Sequence, residues 1–151
     1  MKNESKRQGL ARFTDLLAAF NVHSTNRLGE VYQSNVAFKD PINRANGIKE
    51  LKAVFFDLQK QLTDIRFDLK EPALGELDAY VAWTMHYRFR GRKRSIPGVS
   101  RIRQNDAGYV IEQEDYWDAS FGVYAEFPLL GFAIRTLRRL LKVKHPDKNG
   151  T

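Results

Sequence analysis

The chain has 151 residues, a length suited to one domain. Apolar residues make up 42% and charged residues 28%, which excludes a disordered chain and fits a globular one. There is no cysteine, so disulfides, thiolate nucleophiles and thiolate metal sites are excluded.

The net charge of +7 is unevenly placed. Residues 88–103 carry seven basic groups (Arg88, Arg90, Arg92, Lys93, Arg94, Arg101, Arg103) and no acid. Residues 129–151 carry six (Arg135, Arg138, Arg139, Lys142, Lys144, Lys148) against Asp147 alone. Such asymmetry suits an anionic partner, or simply a solvated strand face and a solvated helix face. The N-terminal run Met1 to Arg7 is followed by no apolar stretch suited to export, and no segment is long and apolar enough to span a bilayer. The expectation is a cytoplasmic protein.

In chain order, Leu10, Phe13, Leu16, Leu17 and Phe20 predict a helix over residues 5–20. Ser24, Thr25 or Asn26 caps a second helix covering Leu28, Val31 and Tyr32. Val36 to Lys39 alternates like a short strand, and Pro41 holds Asp40 extended so that the chain turns there. Residues 47–62 read as a third helix with Ile48, Leu51, Val54, Phe55, Leu58 and Leu62 on one side.

Four strand-like segments follow. In the first, Ile65, Phe67 and Leu69 alternate with charged residues. In the second, Val81, Trp83, Met85, Tyr87 and Phe89 share one face, leaving Thr84, His86 and Arg88 on the other. Residues 95–104 and 109–118 form a hairpin about Asn105-Asp106-Ala107-Gly108. If Gln104 pairs with Tyr109, then Ser100 faces Gln113, Arg101 faces Glu112 and Ile102 faces Ile111. A last helix starts at Pro128 and runs to about residue 144. Its apolar stripe is Leu130, Ala133, Ile134, Leu137, Leu140 and Leu141, opposite Arg135, Arg138, Arg139 and Lys142. Such a stripe buries against something, and the expectation is the protein's own helices or a second subunit.

The aromatic strand face also receives Ser100, Gln113, Asp115 and Trp117. An apolar face with isolated polar groups is a core. If the sheet curves and leaves its concavity open, it is a ligand pocket. The predicted lining is Phe13, Trp83, Met85, Tyr87, Ser100, Ile102, Gln113 and Trp117. Asp40 and Asp115 are the candidate proton-transfer groups. Each also has a plain structural reading, Asp40 as a turn residue and Asp115 as an acceptor for backbone N–H groups at the strand end. Three scattered histidines without paired spacing predict no metal site, and no phosphate loop or dinucleotide fingerprint is present. No cofactor is expected.

Three helices, Val36-Ala37-Phe38-Lys39-Asp40-Pro41 with Gly47 opening the next helix, Trp83 through Phe89, and Gly98-Val99-Ser100-Arg101-Ile102 through Gly108-Tyr109-Val110-Ile111 to Asp115-Tyr116-Trp117-Asp118 occur in a familiar order. Over about residues 8–120 the chain resembles the SnoaL-like branch of the nuclear transport factor 2-like superfamily, which includes ketosteroid isomerases and polyketide cyclases. The resemblance implies an α+β cone in which a curved, mostly antiparallel sheet wraps the N-terminal helices. Here an extra C-terminal helix follows, all within one domain of residues 1–151. The resemblance further implies an apolar cavity and a homodimer through the outer sheet face, where Arg101 and Glu112 would pair. It places Asp40 at the position of the isomerases' base. Phe13 and Ser100 stand where the isomerases carry strong oxyanion donors, so efficient ketosteroid isomerisation is not expected.

The function expected is that of a small-molecule pocket protein taking an apolar ligand, with isomerase-, cyclase- or hydrolase-like proton transfer as its chemistry if it is an enzyme. The alternative is a non-catalytic module docking through its basic terminal helix on a partner or an anionic membrane. The basic strands lack the interleaved exposed aromatics of single-strand binders, so nucleic acid is not expected.

Overall fold

Helix α1 (Lys2–Ala18) turns Leu10, Phe13, Leu16 and Leu17 to one side, and all four are buried with Phe20 just beyond its end. The sequence pattern thus sets which face meets the sheet. In the computed structural model, which describes residues 2–122 and 124–142, contacts divide the chain into two units, Met1–Asp118 and Ala119–Thr151. The sequence predicts one domain over residues 1–151 with a terminal helix.

In the first unit, a 3-10 turn (Ser24–Asn26) leads into a single helical turn, α2 (Leu28–Val31). The expected second helix is therefore shorter than its sequence suggests. No side chain caps it, and the Ser24 hydroxyl instead accepts the Asn21 N–H at 2.8 Å. Tyr32 is not helical but opens strand β1 (Tyr32–Lys39). Strand β2 (Arg44–Asn46) pairs back on β1, and α3 (Ile48–Gln61) follows from Gly47, whose φ of 88° suits glycine. Leu51 and Phe55 of α3 are buried, and Ile48, Val54 and Leu58 pack against the same core.

Strands β3 (Thr63–Leu69), β4 (Ala73–Leu74), β5 (Asp78–Phe89), β6 (Arg92–Gln104) and β7 (Val110–Trp117) complete a seven-stranded sheet. Its order is β2-β1-β7-β6-β5-β3, with β4 beside β5. Only β1 and β7 run parallel; every other pairing is antiparallel. This is the curved α+β sheet that the sequence implies. Its inner face holds edge-on aromatic contacts linking Phe38, Phe55, Phe20, Phe67 and Trp83, with centroids 5.6–6.3 Å apart. Edge-to-face geometry suits the ring quadrupoles and fills the core without strain.

The β6–β7 register differs from the expected one. Gln104 pairs with Val110, and Ile111 is then skipped, so that Arg103 faces Glu112, Ile102 faces Gln113, Arg101 faces Glu114 and Ser100 faces Asp115. Two local causes act together. The Asn105 side-chain oxygen accepts the N–H groups of Ala107 and Tyr109, each at 3.0 Å, which draws Tyr109 into the turn. A bulge at Ile111 then absorbs one more residue. The total slip is two residues, so the inward and outward faces are kept beyond the bulge. Ile111 itself does not face Ile102.

The second unit contains α4 (Ala119–Gly122), a 3-10 turn (Tyr124–Glu126) and α5 (Pro128–Leu141). Pro128 begins α5, as its sequence predicts. Residues 143–144, included in the expected helix, lie outside the described residues. The apolar residues of α5 are largely exposed, and its one buried residue is Gly131. Leu129, Leu137, Leu140 and Leu141 are each more than half exposed.

Candidate functional site

Cross-strand pairing decides which predicted residues meet. Val81, Ser100 and Asp115 stand in one row across β5, β6 and β7; Ala79, Ile102 and Gln113 form the next row. Trp83, Gly98 and Trp117 form the row on the other side. Both tryptophans of the chain therefore share one sheet face, with a glycine between them. A Cβ at Gly98 would come 2.3 Å from Cη2 of Trp83, so the missing side chain is what lets the indole lie across β6. Phe67 meets the same indole edge-on at 5.6 Å.

The polar groups of this face form one continuous chain. The Trp83 Nε1–H donates to Ser100 Oγ at 2.9 Å, and the Ser100 hydroxyl donates to Asp115 Oδ1 at 2.6 Å. Gln113 Nε2 donates to the same Oδ1 at 2.8 Å, and the Tyr32 hydroxyl donates to Gln113 Oε1 at 2.7 Å. Ser100 is 1% exposed and Gln113 2%, so these bonds satisfy groups that water does not reach. Phe13 is fully buried and sets its edge against the Tyr32 ring at 6.4 Å.

Asp115 Oδ1 accepts two hydrogen bonds, and among the described residues no donor meets Oδ2. Among the described residues no buried side-chain oxygen or nitrogen lacks a partner. Asp115 is itself only half-buried, so an Oδ2 without a donor keeps some contact with solvent. Burial pushes the Asp115 carboxyl up to about 6. The Ser100 and Gln113 donors act against that rise, and the Asp40 charge adds to it. Burial likewise raises the Tyr32 hydroxyl well above its ordinary value, which keeps it a neutral donor.

Asp40 follows Lys39, which pairs with Glu114, so register sets it beside Asp115. Its Oδ1 accepts the backbone N–H groups of Ile42 at 2.7 Å and Asn43 at 2.5 Å, and its Oδ2 accepts from Asn43 Nδ2 at 3.2 Å. Those bonds hold the β1–β2 turn. The two candidate carboxylates thus come together, one occupied by its turn and one with a free oxygen.

Met85 and Tyr87 share the inner face and are buried, but pair with Ile96 and Arg94, past the end of β7. At roughly 3.3 Å per residue, Tyr87 stands about 13 Å along β5 from Trp83. Ile102 is fully buried in its row between Ala79 and Gln113. The group missed in the sequence reading is Tyr32. Its signal is weak because the β1–β7 pairing shifts between Tyr32 and Ala37, which breaks the alternation.

The outer face is ionic. Arg101 pairs with Asp78 at 3.3 Å, Glu114 at 3.1 Å and Glu112. Arg103 reaches Asp78 at 2.8 Å, and Lys39 reaches Glu114 at 2.7 Å. The Arg101–Glu112 contact is present, as a diagonal rather than the expected direct pair. His86 faces outward, 2.9 Å from Asp68. Among the described residues no cluster of histidine and carboxylate side chains has the arrangement of a metal site.

Residues 13–112 match the model of the SnoaL-like domain. Nothing among the curated proteins matches the chain. Several solved structures share the fold. One is a protein of ketosteroid isomerase-like fold from Catenulispora acidiphila, in complex with trimethylamine. It is 14% identical, with a TM-score of 0.66 over 76% of this chain and 89% of that one. A protein described as a SnoaL-like polyketide cyclase, from Jannaschia, is 15% identical with a TM-score of 0.65, over 76% and 86% of the two chains. AclR from Streptomyces galilaeus, described as a hydroxylase, is 16% identical with a TM-score of 0.64, over 89% and 95%. At such identities the likeness is one of fold, and one fold serves many chemistries.

Proposed function

The chain belongs to the SnoaL-like domain family, and from that premise we propose that it binds an apolar small molecule against its inner sheet face and moves a proton through Asp115. The observation that carries this reading is a carboxyl that titrates near 6 beside two tryptophans, with an Oδ2 that no donor among the described residues meets. A carboxyl with that proton affinity serves as donor or acceptor near neutral pH. Ser100 and Gln113 fix Oδ1 and so aim Oδ2; they orient the acid rather than the ligand. Trp83 and Trp117 hold the apolar body. Asp40 keeps the proton on Asp115 through its charge and shapes the rim through its turn. The reaction class that suits these groups is proton removal or return at a carbon next to a carbonyl, as in isomerisation or cyclisation.

The test uses a panel of polycyclic ketones in heavy water. Binding is followed by the fluorescence of the two tryptophans and proton exchange by mass spectrometry of the recovered ketone. Binding with deuterium uptake next to the carbonyl is expected, at a rate lowered about 10²–10⁴-fold in Asp115→Asn. Asp40→Asn should keep most of it. A tryptophan signal indifferent to every ketone, together with no small molecule released from the purified protein on denaturation, would overturn the reading.

A further inference from the structure

Helix α5 (Pro128–Leu141) contains no acidic residue, and Glu126 is the sole acid among residues 124–142. At 100° per residue, Arg135, Arg139 and Lys142 fall in one narrow arc with Arg138 at its border. Leu129, Leu130, Leu137, Leu140 and Leu141 fall in the opposite arc, with Phe132 between the two. The leucines are not core residues. Leu129 is 88% exposed, Leu140 76% and Leu141 72%, and Phe132 beside the cations is 67% exposed. A contiguous apolar face of this kind marks a surface that meets something. The helix is about 21 Å long at 1.5 Å per residue, and no helix among the described residues is long and apolar enough to cross a membrane.

We propose that α5 lies in the plane of an anionic lipid surface, its leucine arc sunk at the headgroup boundary and its arginines held level with the phosphates. The charge pattern selects this occupant. Two copies of α5 packed leucine face to leucine face would leave both cationic arcs turned outward, with no acid on the helix to offset them. An anionic bilayer supplies both the apolar layer and the negative charge. With the apolar arc sunk at the boundary, the arginine and lysine stems on the opposite arc stand among the headgroups. The inference is independent of Asp115 and its pocket.

The test is co-sedimentation of the full-length protein with vesicles of phosphatidylcholine alone, and of phosphatidylcholine containing phosphatidylglycerol, at low and high salt. Binding is expected with the anionic vesicles and should weaken as salt rises. The double variant Arg135→Ala/Arg139→Ala should lower partitioning by about fivefold per cation removed, and Leu137→Asp should abolish it. All three positions are on the exposed helix, and circular dichroism checks that the variants keep their fold. Equal binding to neutral vesicles would overturn the proposal. So would the absence of binding to either vesicle, whether or not light scattering shows a multimer that Leu137→Asp dissolves; such a multimer would identify a second copy as the cover.

Discussion

Glu114 and Asp115 are neighbours in the chain, yet strand alternation sends them to opposite faces of the sheet and into opposite electrostatics. Glu114 faces outward, where Lys39 first, then Tyr116 and Arg101, hold its carboxyl down at about 2. Asp115 faces inward, where burial pushes its carboxyl up to about 6 against the pull of Ser100 and Gln113. The outer carboxylate has cations to favour its charge; the inner one has only neutral donors and a second carboxylate nearby. Paired titratable groups driven apart in this way are how one sheet keeps a fixed charge on one side and a movable proton on the other.

The widest gap to test is in proton affinity itself. Carboxyl carbon resonances of the two residues should titrate about four pH units apart, a ratio on the order of 10⁴ in proton affinity. Coincident midpoints near 4 would dissolve the contrast. Stability should follow. The folded state holds the Asp115 proton more tightly than the unfolded chain, whose carboxyl sits near 3.8. Its contribution is therefore fully present below about pH 4 and is lost as pH rises through about 6. Asp115→Asn removes that dependence. The variant should gain about 2–3 kcal/mol over the parent at pH 8 and nothing at pH 3.5, read from urea unfolding at each pH. A variant less stable than its parent at pH 8 would mean that the carboxylate is held by favourable contacts rather than by burial.

The next effect is smaller and probes how the inner face is held. Tyr32→Phe deprives Gln113 Oε1 of its donor in a site that water does not reach. The expected cost is about 1–3 kcal/mol, the desolvation of an acceptor left unmet. If Gln113 rotates in response, Asp115 loses a donor and its titration moves further up. An unchanged denaturation midpoint with an unchanged Asp115 titration would show that Tyr32 does not support the site.

Alternation made much of this legible. Val81, Trp83, Met85 and Tyr87 are inward and His86 is outward, as period two predicts. Ser100, Gln113, Asp115 and Trp117 share the tryptophan face for the same reason. Legibility ends where pairing is irregular. The bulge at Ile111 is set by the Asn105 turn, whose side chain competes with the ladder for the Tyr109 N–H, and no residue pattern counts that competition. Tyr32 was hidden by the break in β1, so a strand residue read as the end of a helix. The division of labour between the two aspartates was also hidden. That Asp40 is engaged by Ile42 and Asn43 while Asp115 keeps a free oxygen depends on atoms, not on spacing.

The smallest expected effect belongs to the outer partner, Glu114→Gln. A carboxyl held below its ordinary value adds stability above about pH 4.5 that is lost as pH falls toward 2, the reverse of Asp115. The variant should therefore be slightly less stable than its parent at pH 7 and equal to it near pH 2. The loss stays small because the ion pairs of this face remain in contact with solvent, where the charges are screened and the long side chains must be ordered. Screening also supplies the control. In about 1 M salt, where the Debye length falls to about 3 Å, the difference at pH 7 should shrink, because the lost interaction is one of charge. The urea midpoint at low and high salt measures it. A deficit that survives high salt, or one larger than that of Tyr32→Phe, would mean that Glu114 acts through packing, and the two faces would then not differ in the way their titrations imply.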